Sequence, residues 1–107
     1  MEAIVLKDRE MLGENGIVLV NCAIDKNTKE IIHGPELLTR GFIYVKTSGE
    51  LIEKSKELCE DIIKRHTTNV EKVNYTDIKN DIREELGSFY YSETETKPMI
   101  ITVVQEV

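Results

Sequence analysis

Thr47-Ser-Gly-Glu-Leu-Ile-Glu-Lys-Ser-Lys-Glu-Leu-Cys-Glu-Asp-Ile-Ile-Lys-Arg-His66 is the stretch whose reading decides the fold. Its apolar positions are Leu51, Ile52, Leu58, Cys59, Ile62 and Ile63, with His66 at the end. They recur at three and four residues, which places them on one stripe of an α-helix. Most of the other positions are charged. Thr47 at the N-cap with Glu50 three residues on is a capping box, which satisfies two backbone donors that the helix start leaves free. A helix with a single apolar stripe must bury it against another element. The flanking sequence has to supply that element.

Downstream, Thr67-Thr-Asn69 ends the helix and a linker runs to Asn74. Asn74 is the expected N-cap of a second helix, with Asp77 in its first turn, where negative charge suits the helix dipole. Its stripe is Tyr75, Ile78, Ile82, Leu86, Phe89 and Tyr90. Thr94 to Lys97 is a polar loop, Pro98 stops any helix, and Met99 to Val104 reads as the last strand.

Upstream, Ile17-Val-Leu-Val-Asn-Cys-Ala-Ile24 is rich in β-branched residues and apolar on both alternating faces, the mark of a central strand. Asp25-Lys-Asn-Thr28 is a hairpin turn cluster. A second strand starts at Lys29 and is interrupted at Gly34-Pro35, because Pro35 cannot donate a ladder hydrogen bond. Such a point is an edge, a bulge or a break. Gly41 suits a positive φ or a close backbone approach. Phe42-Ile-Tyr-Val45 is expected to be extended, as a continuation of strand two or as a short third strand. The order is strand, strand, helix, helix, strand. It predicts an α+β two-layer sandwich in which a sheet of about three strands is covered by two helices. Residues 16–107 form the expected domain, and residues 1–15 a lead-in or linker remnant.

The chain has 107 residues, enough for one domain with a core of its own. Apolar residues make up 40% and charged residues 32%, an ordinary soluble globular mixture. No apolar run reaches the roughly 20 residues of a membrane span, and no basic-then-apolar signal opens the chain. Cys22 and Cys59 lie in apolar-periodic segments and read as free thiols of a reducing, cytoplasmic compartment. A bridge between them is the minor alternative. Fourteen basic against 20 acidic residues give a net charge of −6. That balance argues against autonomous binding to RNA or DNA, whose affinity comes largely from neutralising phosphates.

Residues with the chemistry for a site are few. Cys59 and His66 share a helix face but lie seven residues apart, about 10 Å along the axis. No C-x-x-C, H-x-H or H-E-x-x-H occurs. The cysteines therefore read as core packing, and His66 as a helix-end cation that complements the dipole. His33 is the one histidine in an unusual local setting, but no nucleophile stands near it in the pattern. Gly13-Glu-Asn-Gly16 matches the G-x-x-G of KH domains, and the element order is not unlike one form of that fold. Here, however, the motif precedes a strand and carries Glu14. It reads as a turn. Tyr44 and Tyr90 are tyrosines whose hydroxyls need water or a partner. Arg40 either pairs with Glu36 or serves as an interface contact, the ion pair being the simpler reading.

Four segments then stand out together: Leu6-Lys-Asp-Arg9, Gly16-Ile-Val-Leu-Val20, His33-Gly-Pro-Glu-Leu-Leu-Thr-Arg-Gly-Phe-Ile-Tyr-Val45 and Pro98-Met-Ile-Ile-Thr-Val-Val-Gln-Glu-Val107. In this order and spacing they resemble the C-terminal domain of bacterial ribonuclease J, a metallo-β-lactamase/β-CASP family ribonuclease. The likeness runs from about Val5 to Val107. Thr102 stands where relatives often carry a second proline. The resemblance implies a parent enzyme that is a zinc-dependent RNA hydrolase, with endonuclease and 5′-to-3′ exonuclease activity in RNA processing and decay. The metal motif of that fold, H-x-H-x-D-H, is absent from this segment. The resemblance thus assigns this chain no catalytic residue, no metal ligand and no cofactor of its own; zinc belongs to the parent's catalytic domains. It implies an accessory domain that supports dimerisation and full activity. The expected partners are the catalytic domains of the same chain and a second copy of the parent, with RNA as the parent's substrate and no membrane. The residues of the expected interface or structural signature are His33, Gly34, Pro35, Arg40, Gly41, Phe42, Tyr44 and Pro98. The alternative is an RNA-contacting module that guides substrate to the catalytic core.

Overall fold

A computed structural model describes residues 16–41 and 48–107. The elements are β1 (Ile17–Ile24), β2 (Ile31–Arg40), α1 (Ser48–Thr67), α2 (Tyr75–Thr94) and β3 (Met99–Glu106). The sheet order is β2-β1-β3, with β1 antiparallel to β2 and parallel to β3. The apolar character of β1 on both faces does mark the centre of the sheet. The two helices lie on one face, so the molecule is an α+β two-layer sandwich of the expected order.

The core forms between the helices and the covered sheet face. Val18, Val20, Cys22 and Ile24 of β1 meet Leu51, Cys59, Ile62 and Ile63 of α1 and Ile78, Ile82, Leu86 and Tyr90 of α2. Both helical stripes bury as their spacing predicts. Ile52, Leu58 and Phe89 are only half-buried at the stripe margins. One buried position has no apolar signal: Ser55 is fully enclosed. Its hydroxyl donates to Leu51 O at 2.7 Å and accepts from the Tyr90 hydroxyl at 2.8 Å. This is the partner that Tyr90 requires. A buried polar group without such a bond costs roughly 1–3 kcal/mol.

The boundaries follow local chemistry. Asn74 caps α2, its side chain accepting from Asp77 N at 3.1 Å. Thr67 ends α1, and Asn69 takes a left-handed φ of 58°. In the β1–β2 turn, the Asp25 carboxylate accepts from Asn27 N at 2.7 Å and Thr28 N at 2.9 Å. These bonds hold its carboxyl below the ordinary 3.8, Thr28 contributing most. Lys29 then reaches across and donates to Val70 O at 2.6 Å and Glu71 O at 2.8 Å. The hairpin is thereby tied to the link between the helices.

The break expected at Gly34-Pro35 does not occur. β2 runs through it, and the accommodation is a register shift against β1 between Asn21 and Ala23. Gly34 sits there at φ 84°, and a Cβ would fall 2.5 Å from Asn21 O, so no other residue fits. Of the alternatives weighed for this point, edge and bulge both hold. β2 has no second neighbour among the described residues. The expected strand at Phe42 to Val45, the Thr47 cap and the lead-in at 1–15 lie outside the described residues.

Candidate interaction surface

The helices leave the second sheet face uncovered among the described residues. Residues directly paired across strands point to the same face. Leu38, Leu19 and Ile101 are in register across all three strands and form an apolar row on the open face. Ile17 and Met99 stand on one side of that row, and Val103 on the other. Leu38 is 66% exposed and Ile101 42%. A hollow of about 410 Å³, lined by Ile17, Leu19, Leu38, Thr39 and Arg40, opens at this face. Leu38, Ile101 and Val103 leave a contiguous apolar row open to water among the described residues.

The signature residues divide between the two ends of the sheet. Arg40 is paired with Ile17, which is paired in turn with Met99. Gly16 accepts a hydrogen bond from Met99 N at 2.9 Å. It sits against Arg40 and Gly41 so closely that a Cβ would lie 2.6 Å from Arg40 O. Gly41 has φ 66°, the positive value expected of it. Arg40, Gly41 and the buried Pro98 therefore meet at one sheet end, beside Gly16. His33 lies toward the other end, opposite Ala23, with Gly34 and the buried Pro35 next to it. Phe42 and Tyr44 are outside the described residues.

The ion pair expected between Arg40 and Glu36 is not formed. Glu36 takes His33 instead, Nε2 to Oε1 at 3.2 Å. Four residues along a strand cover about 13 Å, beyond the reach of an ion pair that a helix would allow. Among the described residues Arg40 is exposed and in no ion pair. His66 stands in the last turn of α1, as expected, and also meets Asp81 of α2 through Nε2 at 2.6 Å. Beside it, Arg65 Nη2 donates to both Glu85 oxygens at 3.1 Å. Asp81 and Glu85 are one turn apart next to the α2 stripe. That spacing, facing the basic end of α1, is the signal that could have found the pairs.

The remaining reactive groups are enclosed. Cys22 and Cys59 are free and buried, and burial pushes their thiols up to about 11 and about 12. Tyr75 is raised to about 12 by desolvation and by its 2.8 Å bond to Glu106 Oε2. Among the described residues no group of three or more His, Cys, Asp or Glu is placed to hold a metal ion. No helix of the described residues is long and apolar enough to cross a membrane.

The chain belongs to the ribonuclease J C-terminal domain family, whose pattern it matches over residues 4–107. It is 40% identical over 104 residues to ribonuclease J2 of Bacillus subtilis (strain 168), covering 97% of this chain and 19% of that protein. It is 33% identical to a ribonuclease J 2 of Staphylococcus epidermidis and 32% to that of Staphylococcus aureus, over 97% of this chain and 18% of each. The chain thus spans about a fifth of the length of these curated relatives.

Proposed function

We propose that this chain is the non-catalytic accessory domain of a cytoplasmic, zinc-dependent ribonuclease J-like RNA hydrolase that acts as endonuclease and 5′-to-3′ exonuclease, and that it supports the enzyme's dimerisation and full activity. The observation that carries the reading is the family match over nearly the whole chain, at about a fifth of the relatives' length. Catalysis and its zinc are assigned to the four-fifths of such a protein that this chain does not contain. The apolar row Leu38–Leu19–Ile101 supports an assembly role, because it is a surface for contact and carries no chemistry. The net charge of −6 favours assembly over a role in holding RNA.

The test uses the parent enzyme with and without these residues, and with Leu38→Asp in the intact chain. Deletion is expected to lower the sedimentation coefficient to that of a smaller assembly and to reduce RNA hydrolysis. Leu38→Asp is expected to weaken assembly while leaving the fold intact, since the side chain is exposed. An unchanged oligomer and unchanged activity after deletion contradict the proposal. Tight, salt-sensitive RNA binding by the isolated chain would replace it with the RNA-contacting reading.

A further inference from the structure

The apolar part of the open face is confined to one end of the sheet. Along the strands, the rows on that face are Arg40–Ile17–Met99, then Leu38–Leu19–Ile101, then Glu36–Asn21–Val103. Five of the six residues in the first two rows are apolar, and two of the three in the next are polar. Gly16 lies at the apolar end. Its carbonyl accepts from Met99 N at 2.9 Å, and a Cβ on it would fall 2.6 Å from Arg40 O and from Gly41 C. The polypeptide that precedes Gly16 therefore joins the sheet at the margin of the apolar patch, away from the polar end.

That stretch carries apolar residues of its own. Ile4-Val-Leu6 and Met11-Leu12 flank the charged run Lys7-Asp-Arg-Glu10, and the turn cluster Gly13-Glu-Asn15 leads into Gly16. The family pattern takes them in, since it begins at residue 4. Leu12 is four residues from Gly16, a span of at most about 14 Å. The Leu38–Leu19–Ile101 row lies three residues along β1 from Gly16, about 10 Å. Leu12 and Met11 are thus within reach of the hollow of about 410 Å³ at Ile17, Leu19 and Leu38. Charge agrees with the placement. Arg40, on the rim of that hollow, is exposed and in no ion pair among the described residues, and Glu10 is close enough in the chain to meet it.

We infer that residues 4–12 of this chain cover the apolar end of its own open sheet face, with Met11 and Leu12 over the hollow beside Leu19 and Leu38. The contact forms within a single copy, so it stands or falls apart from the assembly role proposed above. Tethering selects this occupant. A segment joined to the sheet through a four-residue connection meets the face at an effective concentration in the millimolar range, which any separate body has to exceed. The helices do not compete for the face, because their stripes are buried against its other side. The surface left for assembly is then the outside of this added layer. Leu38→Asp acts on it by releasing residues 4–12, while the core between the helices and the covered face stays folded.

Methyl NMR of the 107-residue chain tests the contact. Nuclear Overhauser cross-peaks are expected between the Leu12 methyls and those of Leu19 and Leu38, with relative intensities that do not change with protein concentration. Leu12→Asp should abolish the contact and shift the Leu38 and Ile101 methyl resonances. The Val20 and Ile82 methyls, fully buried on the other side of the sheet, should stay in place, which separates release of the segment from a folding defect. Cross-peaks that appear only as concentration rises assign the face to a second copy and overturn the inference. Their absence at every concentration, with the Leu38 methyls open to a soluble paramagnetic probe, overturns it as well. Neither result bears on the deletion experiment with the parent enzyme, which judges the assembly role by itself.

Discussion

β2 and β3 are the two edges of one three-stranded sheet, and they are built to opposite ends. β2 carries His33, Glu36 and Arg40, a proline without an N–H, and a register shift against β1. Each of these makes an edge a poor template for another strand. β3 carries seven uncharged residues from Met99 to Gln105 in unbroken register with β1. Both edges carry segments of the family signature, His33 to Arg40 on the guarded one and Pro98 to Val107 on the unguarded one.

The largest expected effect comes from breaking the guarded edge. Gly34→Ala forces a side chain into Asn21 O at a φ of 84°. It should destabilise the fold by about 2–4 kcal/mol, read as a lowered urea midpoint. β3 holds no glycine, and Gly87 of α2, which faces it, is unstrained: a Cβ there would lie 3.9 Å from Ile100 Cδ1. Gly87→Ala should instead raise stability by about 0.5–1 kcal/mol in thermal unfolding, because helix propensity improves and the added Cβ makes only an ordinary contact. A loss of stability in that variant would mean that Gly87 is needed inside the domain.

The smallest expected effect is at Asp25, in the turn that joins β1 to the guarded edge. Its carboxylate accepts two backbone hydrogen bonds, which lower its pKa in the folded chain. The stability it contributes is complete above the ordinary 3.8 and is lost as pH falls through the lower folded value. Asp25→Ala should therefore differ from the parent sequence in denaturation at pH 7, and the difference should shrink below about pH 4. A difference that is constant from pH 7 to pH 3 would remove the carboxylate from the account of the turn.

Much of the fold was legible because it rests on spacing. The α2 stripe, the Asn74 cap and the centrality of β1 each follow from residue type and period alone. Ser55 was not legible, because its burial depends on Tyr90, 35 residues away, presenting a hydroxyl at the same depth. The continuous β2 was misread because the strand absorbs Gly34-Pro35 as a bulge, two residues of β2 set against Cys22 alone, and pairing resumes at His33 opposite Ala23. The Arg40–Glu36 pair failed on geometry: a spacing that closes on a helix opens to about 13 Å on a strand. The candidate surface was the least legible part. Its residues, Leu19, Leu38 and Ile101, are ordinary strand apolars, and only the register shows that they share a face the helices do not cover.

Amide hydrogen exchange along β3, followed by NMR at increasing concentration of the 107-residue chain, tests the open edge most directly. The account predicts alternation at low concentration: Met99, Ile101 and Val103 protected by β1, Ile100, Thr102 and Val104 exchanging fast. The same alternation should hold as concentration rises, because it comes from the β1–β3 register within one chain. Odd-numbered amides that exchange as fast as their even-numbered neighbours at low concentration would contradict it.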